Sequence, residues 1–214
     1  MKSAKTAEHA GEIIGRLKGE YKNAGIILNY SSDFELLVAV ILSAQCTDKK
    51  VNEVTSELFK KYRDVGDFAR ASLEELERDV RPTGFFRNKA KNIQGAAVMV
   101  LERFGGKIPS TMDEILELPG VARKTANIVL GNAHGLVVGI AVDTHVKRLS
   151  RRLGLSANEN PDKIERDLME IIPHDDWFKF TYLMIEHGRA VCDAKKPRCD
   201  ECLLNDICPS AFKA

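Results

Sequence analysis

The stretch LPGVARKTA, from Leu118 to Ala126, determines how the rest of the chain is interpreted. Pro119 and Gly120 predict a tight turn between two helices, the second of which begins directly after the turn. Backbone N–H groups in the first turn of a helix have no intrahelical acceptor, so they can hold a phosphate without any side chain. The stretch therefore predicts a helix-hairpin-helix that binds DNA regardless of base sequence, through residues Gly120, Val121, Ala122 and Arg123. An ordinary turn between two helices is the alternative.

Helix-forming patterns extend from this stretch in both directions. Apolar residues recur at helical spacing near both ends of the chain, as in Ile13, Ile14, Leu17 and Tyr21, and in Ile164, Leu168, Ile171 and Ile172. Serine or threonine followed three residues later by glutamate predicts capping boxes at Ser32/Glu35, Ser72/Glu75 and Thr111/Glu114. Only residues 136–142 could be mistaken for a strand. The fold class predicted from the sequence is all-α.

Composition limits the class of protein. Of 214 residues, 44% are hydrophobic, which suffices for one large domain or two small ones with a buried core. Lys and Arg number 32 against 31 Asp and Glu, so any nucleic-acid surface must come from local clustering of charge. The longest apolar runs, 36–42 and 136–142, are too short to span a bilayer, and the N-terminus lacks a signal-type apolar stretch. We therefore expect a soluble, intracellular protein.

Four of the five cysteines follow residue 191, with the spacing C-x6-C-x2-C-x5-C: Cys192, Cys199, Cys202 and Cys208. Clustering of this kind predicts one metal site and argues against a secreted disulfide framework. Four thiolates satisfy either a tetrahedral Zn²⁺ or a [4Fe–4S] cluster and leave no open coordination position. The spacing favours iron–sulfur, because zinc ribbons usually have two C-x2-C pairs and only one is present here.

A small basic loop lies between the first two of these cysteines. Lys195, Lys196 and Arg198 accompany a single acidic residue, Asp193. A metal-braced loop with this charge is suited to contacting DNA phosphates. A solvated charged loop with no ligand is the alternative.

Two charged residues at predicted helix starts are candidates for chemistry. Lys124 falls in the first turn of the second hairpin helix, where a cation opposes the helix dipole and an amine nucleophile could act. Asp143, in the stretch VDTH (142–145), is placed as the N-cap of the next helix. A solvated lysine and a plain N-cap are the corresponding structural alternatives.

Taken together, LPGVARKTA, VDTH and the cysteine array resemble the endonuclease III family of helix-hairpin-helix DNA glycosylases/AP lyases. LSAQCTD (42–48) and GFFRNKA (84–90) are also similar to that family. The resemblance covers nearly the whole chain, with the motifs in the expected order and at the expected intervals. One departure is Ala122, which stands where the family commonly has glycine and would disturb the hairpin if that position required a positive φ.

The resemblance implies a fold of two α-helical domains with a DNA-binding cleft between them. A six-helix barrel containing the helix-hairpin-helix would span residues 26–136. Residues 1–25 and 137–214 would form a discontinuous helical domain with a C-terminal [4Fe–4S] cluster loop. Lys124 and Asp143 match the family's catalytic residues. Gln45 matches the residue that fills the gap left by a flipped nucleotide, and Phe85 matches an apolar wedge that enters the opposite strand.

The activity implied is base excision repair: removal of oxidised pyrimidines from duplex DNA through a lysine Schiff base, followed by β-elimination 3′ to the abasic site. Action mainly on uracil or thymine opposite guanine is one alternative. A non-catalytic helix-hairpin-helix DNA-binding iron–sulfur protein is another, and a four-cysteine zinc or electron-transfer protein is a third. The implied partner is double-stranded DNA containing damaged bases or abasic sites. We expect a monomer that does not bind membranes, located in the cytoplasm with the nucleoid if the source is prokaryotic.

Overall fold

A computed structural model describes residues 2–213 of the chain, with side chains from residue 6 onward. Over these residues the protein is helical and contains no strand, so the predicted all-α class is confirmed. Residues 136–142 are irregular. The helices are α1 (Lys2–Glu20), α2 (Asp33–Leu42), α3 (Asp48–Lys61), α4 (Val65–Arg70), α5 (Leu73–Val80), α6 (Phe86–Phe104), α7 (Met112–Leu116), α8 (Arg123–His134), α9 (Thr144–Arg152), α10 (Pro161–Ile171) and α11 (His174–Ala190), with 3-10 turns at Arg81–Thr83 and Cys199–Glu201.

The chain forms two compact units, which makes the fold a two-domain one as predicted. One unit, called here the hairpin unit, is Ile27–Val138. The other, called the cysteine unit, combines Met1–Ile26 with Gly139–Ala214. Within residues 2–213, no helix has both the length and the apolar character needed to cross a membrane.

The hairpin unit is built around α2, which has the sequence DFELLVAVIL. From Leu36 onward this helix is apolar on every side. From Phe34 onward, each of its residues except Glu35 is buried. A helix of this composition must be surrounded by other helices, and α2 packs against α3, α6 and α8. Its burial therefore places the C-terminal end of α2 and the helix α8 in one core.

Capping explains where several helices begin. Ser32 Oγ accepts a hydrogen bond from the Glu35 N–H at 3.2 Å, and Thr111 Oγ1 accepts one from the Glu114 N–H at 3.3 Å. Ser72 also stands at an N-cap, but its side chain makes no capping bond. The capping box predicted there is wrong, because the Glu75 carboxylate instead pairs with the Lys61 amine at 2.7 Å.

The cysteine unit buries the apolar faces of α1, α9, α10 and α11 in a single core that includes Ile13, Leu149, Ile164 and Phe180. The segment after α11 belongs to this core, since Leu204 is fully buried and three of the cysteines pack against the cluster. Arg16 of α1 ties the segment down by donating to the Leu203 carbonyl at 2.9 Å and pairing with Asp206 at 2.6 Å.

Candidate functional site

The hairpin between α7 and α8 depends on Gly120. Its φ of +80° lies in the left-handed region, and the Val121 N–H closes the turn by donating to the Leu118 carbonyl at 3.1 Å. A Cβ added to Gly120 would lie 2.8 Å from the Asn92 Cβ, so the backbone also approaches α6 too closely for a side chain. Backbone conformation and close packing therefore both require glycine here.

Ala122 fits the hairpin without strain. It is the N-cap of α8 with φ −100° and ψ 170°, an extended conformation open to any residue. Alanine at this position therefore does not strain the backbone of the hairpin. Alanine has no side-chain acceptor, so the N-cap residue does not compete for the N–H groups that begin α8.

Lys124 lies in the first turn of α8 and is half-buried. The described residues of the hairpin unit place no carboxylate or carbonyl within hydrogen-bonding distance of its amine. Thr125, Ala126 and Asn127 directly after it are buried and anchor the helix. The lysine is thus held on a rigid element, and its amine makes no hydrogen bond or ion pair with the described residues of its own unit.

Asp143 begins α9 as predicted from the sequence. Its Oδ1 accepts a hydrogen bond from the Val146 N–H at 2.8 Å. The preceding backbone is fixed by Thr181, whose hydroxyl donates to the Ala141 carbonyl at 3.1 Å. No donor among the described residues of the cysteine unit reaches the second carboxylate oxygen, Oδ2. One oxygen therefore caps the helix, and the other is left for a different partner.

The basic residues of α9 serve structural contacts. Arg148 donates to the Gly188 and Cys192 carbonyls, at 3.2 and 2.9 Å. Arg152 donates to the Cys192 sulfur at 3.3 Å and to the Asp193 carbonyl at 2.6 Å. On the other face, Lys147 and Arg151 both pair with Glu159. The cations of α9 thus join this helix to the cysteine segment and to the loop before α10.

Cys192, Cys199, Cys202 and Cys208 line one pocket, and no disulfide joins them. Leu149, Leu153 and Pro197 contribute apolar walls. Burial raises the pKa of the Cys202 and Cys208 thiols. Beside them, burial lowers the pKa of His187 to about 4, which makes its imidazole neutral.

The chemistry of these side chains bears on the cofactor they could hold. Four soft sulfur donors that line one pocket supply the complete ligand set of an iron–sulfur cluster. The residues present therefore fit the [4Fe–4S] prediction.

The basic loop is shaped by Asp193. Its Oδ1 accepts hydrogen bonds from the N–H groups of Lys195 and Lys196, both at 2.9 Å, and these bonds lower the pKa of the carboxyl. The side chains of both lysines are exposed. Arg198 instead pairs with Glu201 at 2.8 Å and donates to the Ala190 carbonyl. The loop therefore exposes two lysines without a side-chain ion pair among the described residues, and Arg198, which is also exposed, bonds within the segment.

Gln45 and Phe85 share an unusual backbone. Gln45 lies in the turn after α2 with φ 53°, and Phe85 precedes α6 with φ 46°. Both side chains are exposed, and 63% of Phe85 is accessible to solvent. Left-handed backbone is strained for residues other than glycine, and an exposed aromatic side chain gains nothing from burial. The resemblance assigned both residues to DNA contact, but the sequence alone did not predict their conformation.

One residue that sequence analysis missed is Lys89. It lies on the buried face of α6 with Ile93, Ala96 and Val100, and only 4% of it is exposed. Its amine donates to two backbone carbonyls, those of Leu42 and Thr83. A lysine in an apolar position of a helical pattern was the available signal.

Comparison with known proteins places the chain in a family. A model of the HhH-GPD superfamily of base excision DNA repair proteins matches residues 38–174. Endonuclease III of Synechocystis sp. is 54% identical over 210 residues, covering 98% of this chain and 96% of the relative. Endonuclease III of Bacillus subtilis is 46% identical over 194 residues, covering 90% and 88%. The chain belongs to the endonuclease III family.

The structural comparison agrees with this assignment. A solved structure of a trapped endonuclease III–DNA covalent intermediate has a TM-score of 0.92 and 43% identity, with coverage of 96% of both chains. A model for the iron–sulfur binding domain of endonuclease III matches residues 192–208, a segment that contains all four clustered cysteines. The cofactor of this endonuclease III family member is accordingly a [4Fe–4S] cluster. The resemblance stated from the sequence is confirmed.

Replacing Cys199 tests the metal centre. Purified protein should contain iron and acid-labile sulfide in nearly equal amounts. Cys199→Ser should lose both and melt at a lower temperature, because ligation supplies part of the folding free energy of this segment. Cys46→Ser, which changes the cysteine outside the array, is the control and should retain full iron. Stoichiometric zinc without sulfide in anaerobically prepared wild type would contradict the assignment.

Proposed function

We propose that this protein is a bifunctional DNA glycosylase/AP lyase of base excision repair that removes oxidised pyrimidines from duplex DNA. The proposal depends on the placement of the Lys124 amine. This amine lies at the start of a hairpin helix and lacks an ion-pair partner in its own unit. Support comes from a related endonuclease III, at 43% identity, for which a covalent intermediate with DNA has been trapped. The substrate class follows from the family resemblance.

In the proposed mechanism, the Lys124 amine attacks C1′ of the damaged nucleotide with its lone pair and gives up a proton as the new bond forms. The C1′–N bond breaks as the C1′–amine bond forms, and the base departs with the bonding electron pair and takes up a proton. Opening of the sugar ring converts the adduct to an iminium between Lys124 and C1′. Loss of a C2′ proton then expels the 3′ phosphate, and water finally releases the enzyme from the sugar.

Asp143 has an electrostatic role in this mechanism. Positive charge develops on the sugar as the base leaves, and a carboxylate nearby stabilises it. Because Oδ1 caps α9, the carboxylate is oriented by the backbone, and Oδ2 is the oxygen offered to the substrate. The four cysteines hold the [4Fe–4S] cluster, which supplies structural and electrostatic support to the cysteine unit.

Residues other than Lys124 and Asp143 bind the duplex and assist extrusion of the nucleotide. The hairpin from Gly120 to Arg123 and the lysines 195 and 196 contact phosphates, which positions the duplex without reading its sequence. Gln45 fills the gap left by the extruded nucleotide, and Phe85 enters between bases of the opposite strand. Extrusion requires unstacking, so side chains that replace the lost stacking lower its free-energy cost.

Covalent trapping tests Lys124. Borohydride should reduce the iminium and leave wild type attached to duplex DNA containing an oxidised pyrimidine or an abasic site. Lys124→Ala lacks the amine and should form no adduct, whereas Lys107→Ala, an exposed lysine of the same unit, should be trapped normally. Equal trapping of Lys124→Ala would remove this residue from its assigned role. The absence of any adduct or nicking with wild type would favour a non-catalytic DNA-binding protein.

Asp143→Asn separates capping from catalysis. Asparagine caps helices about as well as aspartate, so the melting temperature should stay nearly unchanged. Loss of the charge should slow single-turnover base release by about 10²–10⁴-fold and cleavage of a preformed abasic site by less, because no base has to leave there. Asp64→Asn, which alters the N-cap of α4, is the control and should change neither rate. A lower melting temperature with normal base release would make Asp143 a cap only.

Charge removal tests the basic loop. Lys195→Ala/Lys196→Ala should weaken binding to damaged and undamaged duplex alike and reduce the salt slope by about two units at most. Lys163→Ala, an exposed lysine on α10, serves as the control. Titrations at several salt concentrations measure both quantities. A loss confined to damaged DNA would mean that the loop reads the lesion and does not simply hold phosphates.

A further inference from the structure

Lys89 carries a charge in the interior of the hairpin unit, where charged side chains are rare unless they are compensated. Its amine donates to the Leu42 carbonyl and to the Thr83 carbonyl, both at 2.8 Å. Burial lowers the pKa of this amine. No carboxylate takes part in these contacts, so the compensation for the buried charge comes from backbone carbonyls.

Both carbonyls lie at the ends of helical segments. Leu42 is the last residue of α2, and Thr83 is the last residue of the 3-10 turn that follows α5. The final carbonyls of a helix have no intrahelical donor and carry the negative end of the helix dipole. The Lys89 amine meets both requirements at once, because it supplies donors and positive charge to two helix ends.

A strained residue follows closely after each of these carbonyls. Gln45 comes three residues after Leu42, and Phe85 comes two residues after Thr83, both with left-handed backbone. The turns are closed by local bonds, from the Cys46 N–H to the Ser43 carbonyl and from the Gly84 N–H to the Arg81 carbonyl, each 3.2 Å long. A left-handed conformation at such residues persists only where surrounding contacts enforce it. Lys89 joins the two segments over a long range, because it bonds to the residue directly before the first turn and to the first residue of the second.

We propose that Lys89 is a positioning residue that holds the turns at 43–46 and 83–85 together, so that Gln45 and Phe85 enter the duplex in concert when a nucleotide is extruded. This inference rests on the proposed function, in which those two side chains contact DNA. Lys89 acts through them and does not itself touch the substrate.

The change that isolates this role is Lys89→Met. Methionine fills nearly the same volume, so the packing of α6 is retained, but it donates no hydrogen bond to either carbonyl. Both turns should then relax from the left-handed conformation. If the variant does not fold, Lys89→Gln serves in its place, because glutamine keeps an N–H donor of shorter reach, and the same selective loss is expected.

The diagnostic substrates are one oxidised pyrimidine placed in a fully paired duplex and in an unpaired bubble. Extrusion from the bubble needs little unstacking and hence little help from Gln45 and Phe85. Lys89→Met should slow single-turnover base release from the duplex by about 10- to 100-fold and from the bubble by less than about 3-fold. Equal losses on both substrates, or no loss on the duplex, would overturn the proposal.

A double-mutant cycle gives a readout that a general structural defect would not produce. In a Gln45→Ala/Phe85→Ala background, Lys89→Met should cause little further loss on the duplex, because the side chains through which it acts are absent. The same fold loss in both backgrounds would contradict the proposal. Lys61→Met is the matched control, since Lys61 also bridges two helices of this unit, pairing with Glu75 and Asp79 at 2.7 and 2.6 Å. Lys61→Met should change the rates of base release from the duplex and from the bubble by less than about 2-fold.

Failure of the proposed function would be recognised separately. If wild type released no base from either substrate, the glycosylase assignment would be contradicted. Insertion of the Gln45 and Phe85 side chains into DNA can then still be measured by fluorescence. For that measurement, 2-aminopurine is placed next to a stable abasic-site analogue in a duplex, and its emission rises when neighbouring bases unstack. Wild type should raise the emission, and Lys89→Met should lose most of that rise at saturating protein. An unchanged rise with Lys89→Met would overturn the positioning role whatever the catalytic result.

Discussion

A helix that is apolar on every side is stable only when other helices surround it, and α2 imposes this constraint on the hairpin unit. Its residues from Leu36 to Leu42 are all buried, and α3, α6 and α8 pack against it. Because α8 carries Lys124 and α2 leads into the turn that carries Gln45, one core positions both residues. Burial of an aliphatic side chain contributes roughly 1.5–3 kcal/mol, so this helix is a main source of the unit's stability.

The candidate functional residues share a location at helix ends. Lys124 begins α8, Asp143 begins α9, Gln45 follows the end of α2, and Phe85 precedes α6. Helix ends leave backbone donors or acceptors without intrahelical partners and concentrate the helix dipole there. They therefore provide N–H groups without intrahelical partners and oriented carboxylates on rigid elements. The same property explains why Lys89 can be buried, since two helix ends supply the acceptors for its charge.

The cysteine segment has almost no regular structure of its own, and arginines from the helical core hold it in place. Arg152 reaches the Cys192 sulfur and two carbonyls of the loop, Arg148 reaches the Cys192 carbonyl, and Arg16 reaches the Leu203 carbonyl. These contacts fix the backbone at Cys192 and Asp193 and the backbone ahead of Cys208. Ligation then stabilises a stretch that could not bury enough apolar surface to fold alone.

The sequence by itself determined the features that depend on neighbouring residues: the helical class, the N-caps at Ser32, Thr111 and Asp143, the turn at Gly120 and the grouping of cysteines. Hydrophobic periodicity, capping and turn formation involve residues a few positions apart, so they can be recognised in a linear pattern. Ion pairs and hydrogen bonds between residues far apart in the chain were determined only by the tertiary structure. Packing paired Glu75 with Lys61 instead of with the Ser72 cap, committed the cations of α9 to structural bonds, and buried Lys89 between two helix ends. The left-handed backbone of Gln45 and Phe85 belongs to the same group, because strain at such residues persists only where long-range contacts enforce it.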